Sequence, residues 1–87
     1  MQPPVPVERV EPVYPDLARR VRIEGTVILE AVLGTDGRLH EIRVLSGHPL
    51  LAPAALDAVR RWVYHPALLN GEPVEVVTPI RVTFTLR

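Results

Sequence analysis

The side chains of this sequence that could break bonds are few: one serine, Ser46, and three histidines, His40, His48 and His65. A serine nucleophile needs a base beside it, a third group to orient that base, and donors for the developing oxyanion. Ser46 and His48 stand two residues apart in the turn Ser46-Gly47-His48-Pro49, where a hydroxyl is better placed to bond its own backbone than to be activated. The spacing therefore argues against hydrolysis, although Ser46 is the residue such an activity would use. No His-x-x-x-His pair suggests a zinc site, and with no cysteine neither a thiolate site nor a disulfide framework is possible. Glu24, Glu30 and Glu41 form no evident acid/base pair, and there is no Gly-rich phosphate loop. No enzyme chemistry, metal or cofactor is expected.

The chemistry that remains belongs to the main chain. The stretch Val74–Arg87 alternates strictly from Ile80 onward: Ile80, Val82, Phe84 and Leu86 are apolar, and Arg81, Thr83, Thr85 and Arg87 are polar. A period of two predicts a strand with one buried and one wet face, and its β-branched and aromatic residues suit that role. Pro79 has no N–H to give a ladder, so within sheets proline is confined to edges, strand starts and bulges. Backbone N–H groups alternate from side to side along a strand. If Pro79 faces away from its neighbour, so do the backbone groups of Val77, Arg81, Thr83 and Thr85. They would then offer an unpaired row, a template for another chain. The alternative is that Pro79 only marks a strand start or bulge.

The rest of the chain must position that strand. With 87 residues, 47 % of them hydrophobic, there is room for one small domain with a modest core. The formal net charge is zero, and no lysine is present, which disfavours nucleic acid as a partner. No apolar run approaches the ~20 residues of a membrane span, and no signal peptide is evident, so any membrane attachment is expected outside these residues. Residues 1–12, with Pro3, Pro4, Pro6 and Pro12, read as the end of a proline-rich linker, and residues 13–87 as the domain. Tyr14-Pro15-Asp16 opens a short helix whose Leu17, Ala18 and Val21 share a face, ending before Gly25. Thr26–Leu33 alternates as a strand, Asp36-Gly37 makes a hairpin turn, and Arg38–Leu45 returns with a parity shift that predicts a bulge near His40 and Glu41. A second helix is expected from about Ala52 to Trp62, with Leu51, Ala55, Val59 and Trp62 on one face, and a turn at Asn70-Gly71-Glu72-Pro73. The predicted fold is α+β in the order α-β-β-α-β. It is a small antiparallel or mixed three-stranded sheet with two helices on one face and the last strand at an open edge. A right-handed crossover would place that strand beside the first, not the second.

Four stretches together resemble the C-terminal domain of TonB-type energy transducers. They are Tyr14-Pro15 with Ile23-Glu24-Gly25-Thr26-Val27, then Asp36-Gly37-Arg38-Leu39. Next comes Val44-Leu45-Ser46-Gly47, leading to the run Ala54–Ala67 with Trp62, Tyr64 and Pro66, and last Asn70-Gly71-Glu72-Pro73-Val74. The likeness covers Val13 to Leu86, with Tyr14, Pro15, Gly25, Gly37, Trp62, Pro66 and Gly71 as its structural motif positions. Many relatives have a second serine beside Ser46-Gly47, and Pro53 stands where they carry a polar residue, so the sub-family stays open. The resemblance implies a periplasmic binding module that transmits force from an inner-membrane, proton-driven motor. It would grip the N-terminal segment of an outer-membrane transporter by β-augmentation beside its last strand. It also implies an anchor to the inner membrane upstream of Met1. A competing reading keeps the same edge but pairs it with a second copy, making a homodimeric or oligomeric envelope tether.

Overall fold

The structure, a computed structural model, describes residues 2–86; Met1, the first linker residue, and Arg87, the last polar position of the alternating run, lie outside the described residues. In chain order its elements are β1 (Val5–Glu8), α1 (Asp16–Arg20), β2 (Gly25–Leu33), β3 (Leu39–Ser46), α2 (Ala52–Val59), β4 (Val63–His65), β5 (Ala67–Leu69), β6 (Glu72–Val74) and β7 (Val76–Phe84).

The central sheet has the order β3-β2-β7. β2 buries every second residue, Val27, Leu29, Ala31 and Leu33, as its alternation predicts. β7 does the same with Ile80, Val82 and Phe84, and pairs antiparallel with β2 in an unbroken register from Gly25↔Phe84 to Leu33↔Val76. Because β2 also pairs antiparallel with β3, β7 runs parallel to β3 and lies on the far side of β2, beside the first strand of the hairpin and not the second, as expected. The hairpin turns at Gly34–Gly37, where the Asp36 carboxylate accepts from the Arg38 N–H at 3.0 Å. The expected bulge is present: Glu30 faces Arg43 while Val32 faces His40, and Glu41 takes a positive φ of 49° to make the irregularity.

Both helices contribute to one core on one face of this sheet, where Ala18 of α1 and Ala55 and Val59 of α2 pack among the β2 and β7 side chains. Leu51 and Trp62 flank α2 and are buried with it. One helical expectation is refined and one is corrected. Only Ala18 of α1 is buried; Leu17 and Val21 are each 54 % exposed, because a five-residue helix has turns enough to present one position to the sheet. α2 stops at Val59 instead of reaching Trp62, since Arg60 to Trp62 close in tight turns that let the chain re-enter as β4.

The order α-β-β-α-β is also incomplete. β5 and β6 form a two-residue hairpin closed by Asn70 and Gly71, both at positive φ, with Leu69 opposite Glu72. β1 pairs antiparallel with β4, and Gln2 exchanges backbone bonds with Leu68 in both directions, at 2.8 and 3.0 Å. Within residues 2–12, read from composition as linker, Gln2 and Val5–Glu8 are thus bonded to the domain, and the segment lies on it as a strap. At the other end the strand stops at Phe84, short of Thr85. β2 begins at Gly25, so no partner remains for Thr85, and the Leu86 N–H donates instead to the Glu24 carboxylate at 2.6 Å.

Candidate functional site

The long flank of β7 is the feature that can do something. β2 is the one strand bonded to β7 among the described residues. Pro79 stands opposite Glu30 in an unbroken ladder, with no N–H to contribute. It therefore belongs to the set of residues whose backbone groups turn away from β2, and Val77, Arg81 and Thr83 share its parity. No backbone hydrogen bond reaches this flank from the strap among the described residues. The side chains of the outward set lie on the wet face: Val77 is 62 % exposed, and Thr83 meets Thr26 across the strand at 3.2 Å between hydroxyls. Thr85 continues the row beyond the ladder.

The flank is bordered. Three hollows border β7: one of about 360 Å³ lies over the wet face between Val77 and Glu30–Val32, Glu41 and Arg43, and the other two have no β2 residue in their lining. Of these two, one of about 360 Å³ lies between Pro3 and Pro4 of the strap and Val76–Pro79. The other, of about 130 Å³, lies between Arg9–Pro12, Trp62 and Arg81–Thr83. The strap is pinned there by Trp62, whose indole N–H donates to the Val10 carbonyl at 3.0 Å. The Arg9 guanidinium sits 5.2 Å from the Trp62 ring centroid, a cation–π contact. Further along, Tyr14 packs edge-on against Phe84 at 5.5 Å, and its hydroxyl donates to the Ile23 carbonyl. Sequence reasoning missed this second wall. A signal was available in Trp62, whose buried N–H must find an acceptor, and in Val10, a lone apolar residue between Arg9 and Glu11.

Among the structural motif positions, Pro15 stands at the start of α1, its carbonyl accepting from the Arg19 N–H at 3.0 Å, and Gly25 begins β2 opposite Phe84. Pro66 separates β4 from β5, and Gly71 completes the Asn70-Gly71 hairpin. Gly37 has the strictest requirement. Its φ is +78°, its carbonyl accepts from the Tyr64 N–H at 2.8 Å, and a Cβ there would fall 2.3 Å from the Tyr64 carbonyl oxygen. Burial raises the Tyr64 phenol above its ordinary pKa, and the nearby Arg9 charge opposes that shift. Asp36 is held below its usual range, first by the Arg38 N–H and then by His40. The residues first considered for bond-breaking have local partners. His48 Nδ1 accepts from the Leu50 N–H at 3.0 Å, and His40 lies 3.3 Å from the Asp36 carboxylate. Ser46 is an exposed residue at the end of β3.

Among the described residues no helix is long and apolar enough to cross a membrane. Comparison with known proteins agrees on one group. The family model "Gram-negative bacterial TonB protein C-terminal" matches residues 10–86. Protein TonB of Vibrio cholerae is 38% identical over 80 residues, which are 90% of this chain and 33% of that protein. Protein tonB2 of Pseudomonas aeruginosa is 45% identical over 77 residues, 86% of this chain and 28% of that one. The chain thus spans a third or less of these curated relatives. The solution NMR structure of the Pseudomonas aeruginosa TonB CTD superposes with a TM-score of 0.78 at 27% identity, covering 95% of this chain and 86% of that one. With the family model matched along nearly its whole length, the chain belongs to the TonB C-terminal family of Gram-negative bacteria.

Proposed function

We propose that this domain is the gripping end of a TonB-type energy transducer. It binds the N-terminal segment of an outer-membrane transporter as an added strand on β7 and passes on force from an inner-membrane, proton-driven motor. It works in the periplasm, tethered to the inner membrane by residues upstream of this sequence. It is a binding module without a cofactor, not an enzyme. The observation that carries the reading is that, among the described residues, β7 is bonded on one side only, with Val77, Arg81 and Thr83 sharing the outward parity of Pro79 and Thr85 next in that row.

The energetics suit a reversible grip. About five backbone hydrogen bonds at ~0.5–1.5 kcal/mol net give ~3–7 kcal/mol. Association alone costs ~4–15 kcal/mol on common estimates, so main-chain pairing without side-chain contacts yields a weak complex. Pulled along the strand direction, those bonds are loaded together in shear, so the same grip resists force while releasing at rest. Single-molecule rupture of a domain–peptide complex tests this: rupture at negligible load contradicts it. A second copy of the chain is the competing occupant of the edge. A mass that rises with protein concentration in light scattering, and that added transporter peptide leaves unchanged, would establish the oligomeric tether instead.

A further inference from the structure

The strap runs beside the open flank of β7, yet it does not close it. Its composition gives the reason. Pro3 and Pro4, the residues beside Val76–Pro79, have no N–H, so this pair has no backbone donor to give β7. β1 bonds instead to β4, and the proline pair Pro3-Pro4 faces Val76–Pro79 across an open hollow. Proline also fixes φ, so this wall resists folding inward to fill the space.

That hollow is mostly apolar, with Pro3 and Pro4 opposite Val76, Val77 and Pro79, and Thr78 is the one polar residue of its wall. Its volume of about 360 Å³ lies within the ~300–1,000 Å³ range of ligand clefts. Val77 leaves an apolar side chain 62 % exposed at its mouth. It is continuous with the outward main-chain groups of Val77 and Pro79, where a visiting strand would lie. In strand addition the main chain gives affinity, and pockets for alternate side chains give selectivity.

We propose that this hollow is a side-chain subsite for one apolar residue of the docked strand. The Pro-rich strap acts as its non-pairing second wall. The inference rests on the docking reading above and adds a selectivity element to it. An extended peptide pairing with β7 places alternate side chains on each face, and the one beside Val77 drops between the strap prolines and the strand. The second hollow, at Arg9 and Arg81, is smaller and charged, so the apolar selection belongs to the β7 start.

The test uses this 87-residue chain and a synthetic peptide with the N-terminal sequence of a TonB-dependent outer-membrane transporter. Each apolar position of the peptide is exchanged in turn for serine. One exchange should weaken binding about tenfold and abolish the methyl shift changes of Val76 and Val77. In Val77→Ser and in a Pro3→Ser/Pro4→Ser double variant, that discrimination, read within each variant as the ratio of its affinities for the parent and the serine peptide, should shrink to about twofold. Binding that protects β7 amides but shows no apolar preference, or a preference unaffected by both variants, overturns the subsite and leaves the docking reading standing. Binding that protects no β7 amide overturns both.

Discussion

Replacing Thr83 by proline separates the two flanks of β7 by a single change. If the Thr83 N–H points away from β2, the substitution removes no ladder bond. It costs the exposed hydroxyl contact with Thr26 at 3.2 Å, a cross-strand pair worth ~0.2–1 kcal/mol. Val82 before it is already extended in β7, which a following proline favours. Destabilisation should stay below ~1 kcal/mol. Val82→Pro is the control, one residue away. Its N–H faces Val27, so proline there leaves a buried carbonyl of β2 unpaired and disturbs a side chain that is 5 % exposed. The orphaned acceptor costs ~1–3 kcal/mol and the lost packing a further ~1–2 kcal/mol, about 3 kcal/mol together. Urea unfolding followed by Trp62 fluorescence reads both. Binding should invert the ranking of cost. Thr83→Pro deletes a donor meant for the visitor, worth ~0.5–1.5 kcal/mol, or about 2- to 10-fold in affinity. The ring also intrudes on the incoming strand. Equal destabilisation by the two prolines would show that Thr83 belongs to the β2 ladder, and the assignment of the flank would be refuted.

Other consequences are equally concrete. Gly37→Ala should destabilise by more than ~2 kcal/mol, because strain at positive φ adds to a collision with the Tyr64 carbonyl. Gly71→Ala, at φ +82° with open space around it, should cost only the strain of ~1–2 kcal/mol; similar losses in thermal melts would contradict this. Trp62→Phe should cost ~1–2 kcal/mol through the lost bond to Val10 and the weakened Arg9 contact. Amides of residues 2–10 should exchange faster while those of β2 do not, and uniform acceleration would mean the strap is not a separate unit. Burial raises the folded-state pKa of Tyr64, so its stabilising share is fully present below the unfolded value near ~10 and is lost as pH rises through the folded value. Ring-carbon NMR shifts should place its titration above ~10, and an ordinary value would show the phenol to be solvated.

The sequence made the long elements legible and the short ones not. β2 and β7 are nine residues each, long enough for a period of two to declare itself, and Asp36-Gly37 and the parity shift at Glu41 fixed the hairpin between β2 and β3. Pro79 marked the edge because a missing N–H is a property of the residue alone. β4, β5 and β6 have three residues apiece, too few to show alternation. Asn70-Gly71 was visible as a turn, but Leu68-Leu69 and Glu72-Pro73 beside it do not alternate, so the hairpin it closes was hidden. Leu17 and Val21 share a face with Ala18 yet stay exposed, because helical spacing says which residues share a face, not how much of that face a partner covers. The strap was read as linker for a related reason. Its docking depends on Trp62 and on β4, more than fifty residues away, and nothing local in a proline-rich stretch announces such a partner.

The central claim is that the outward flank of β7 receives another chain's backbone. Amide hydrogen exchange of the chain with and without a transporter's N-terminal peptide tests it most directly. Slowed exchange at Val77, Arg81 and Thr83, with the already bonded alternate positions of β7 little changed, is the expected result. Protection confined to β3 or to the Gly34–Gly37 turn, with those three amides unchanged, would contradict it.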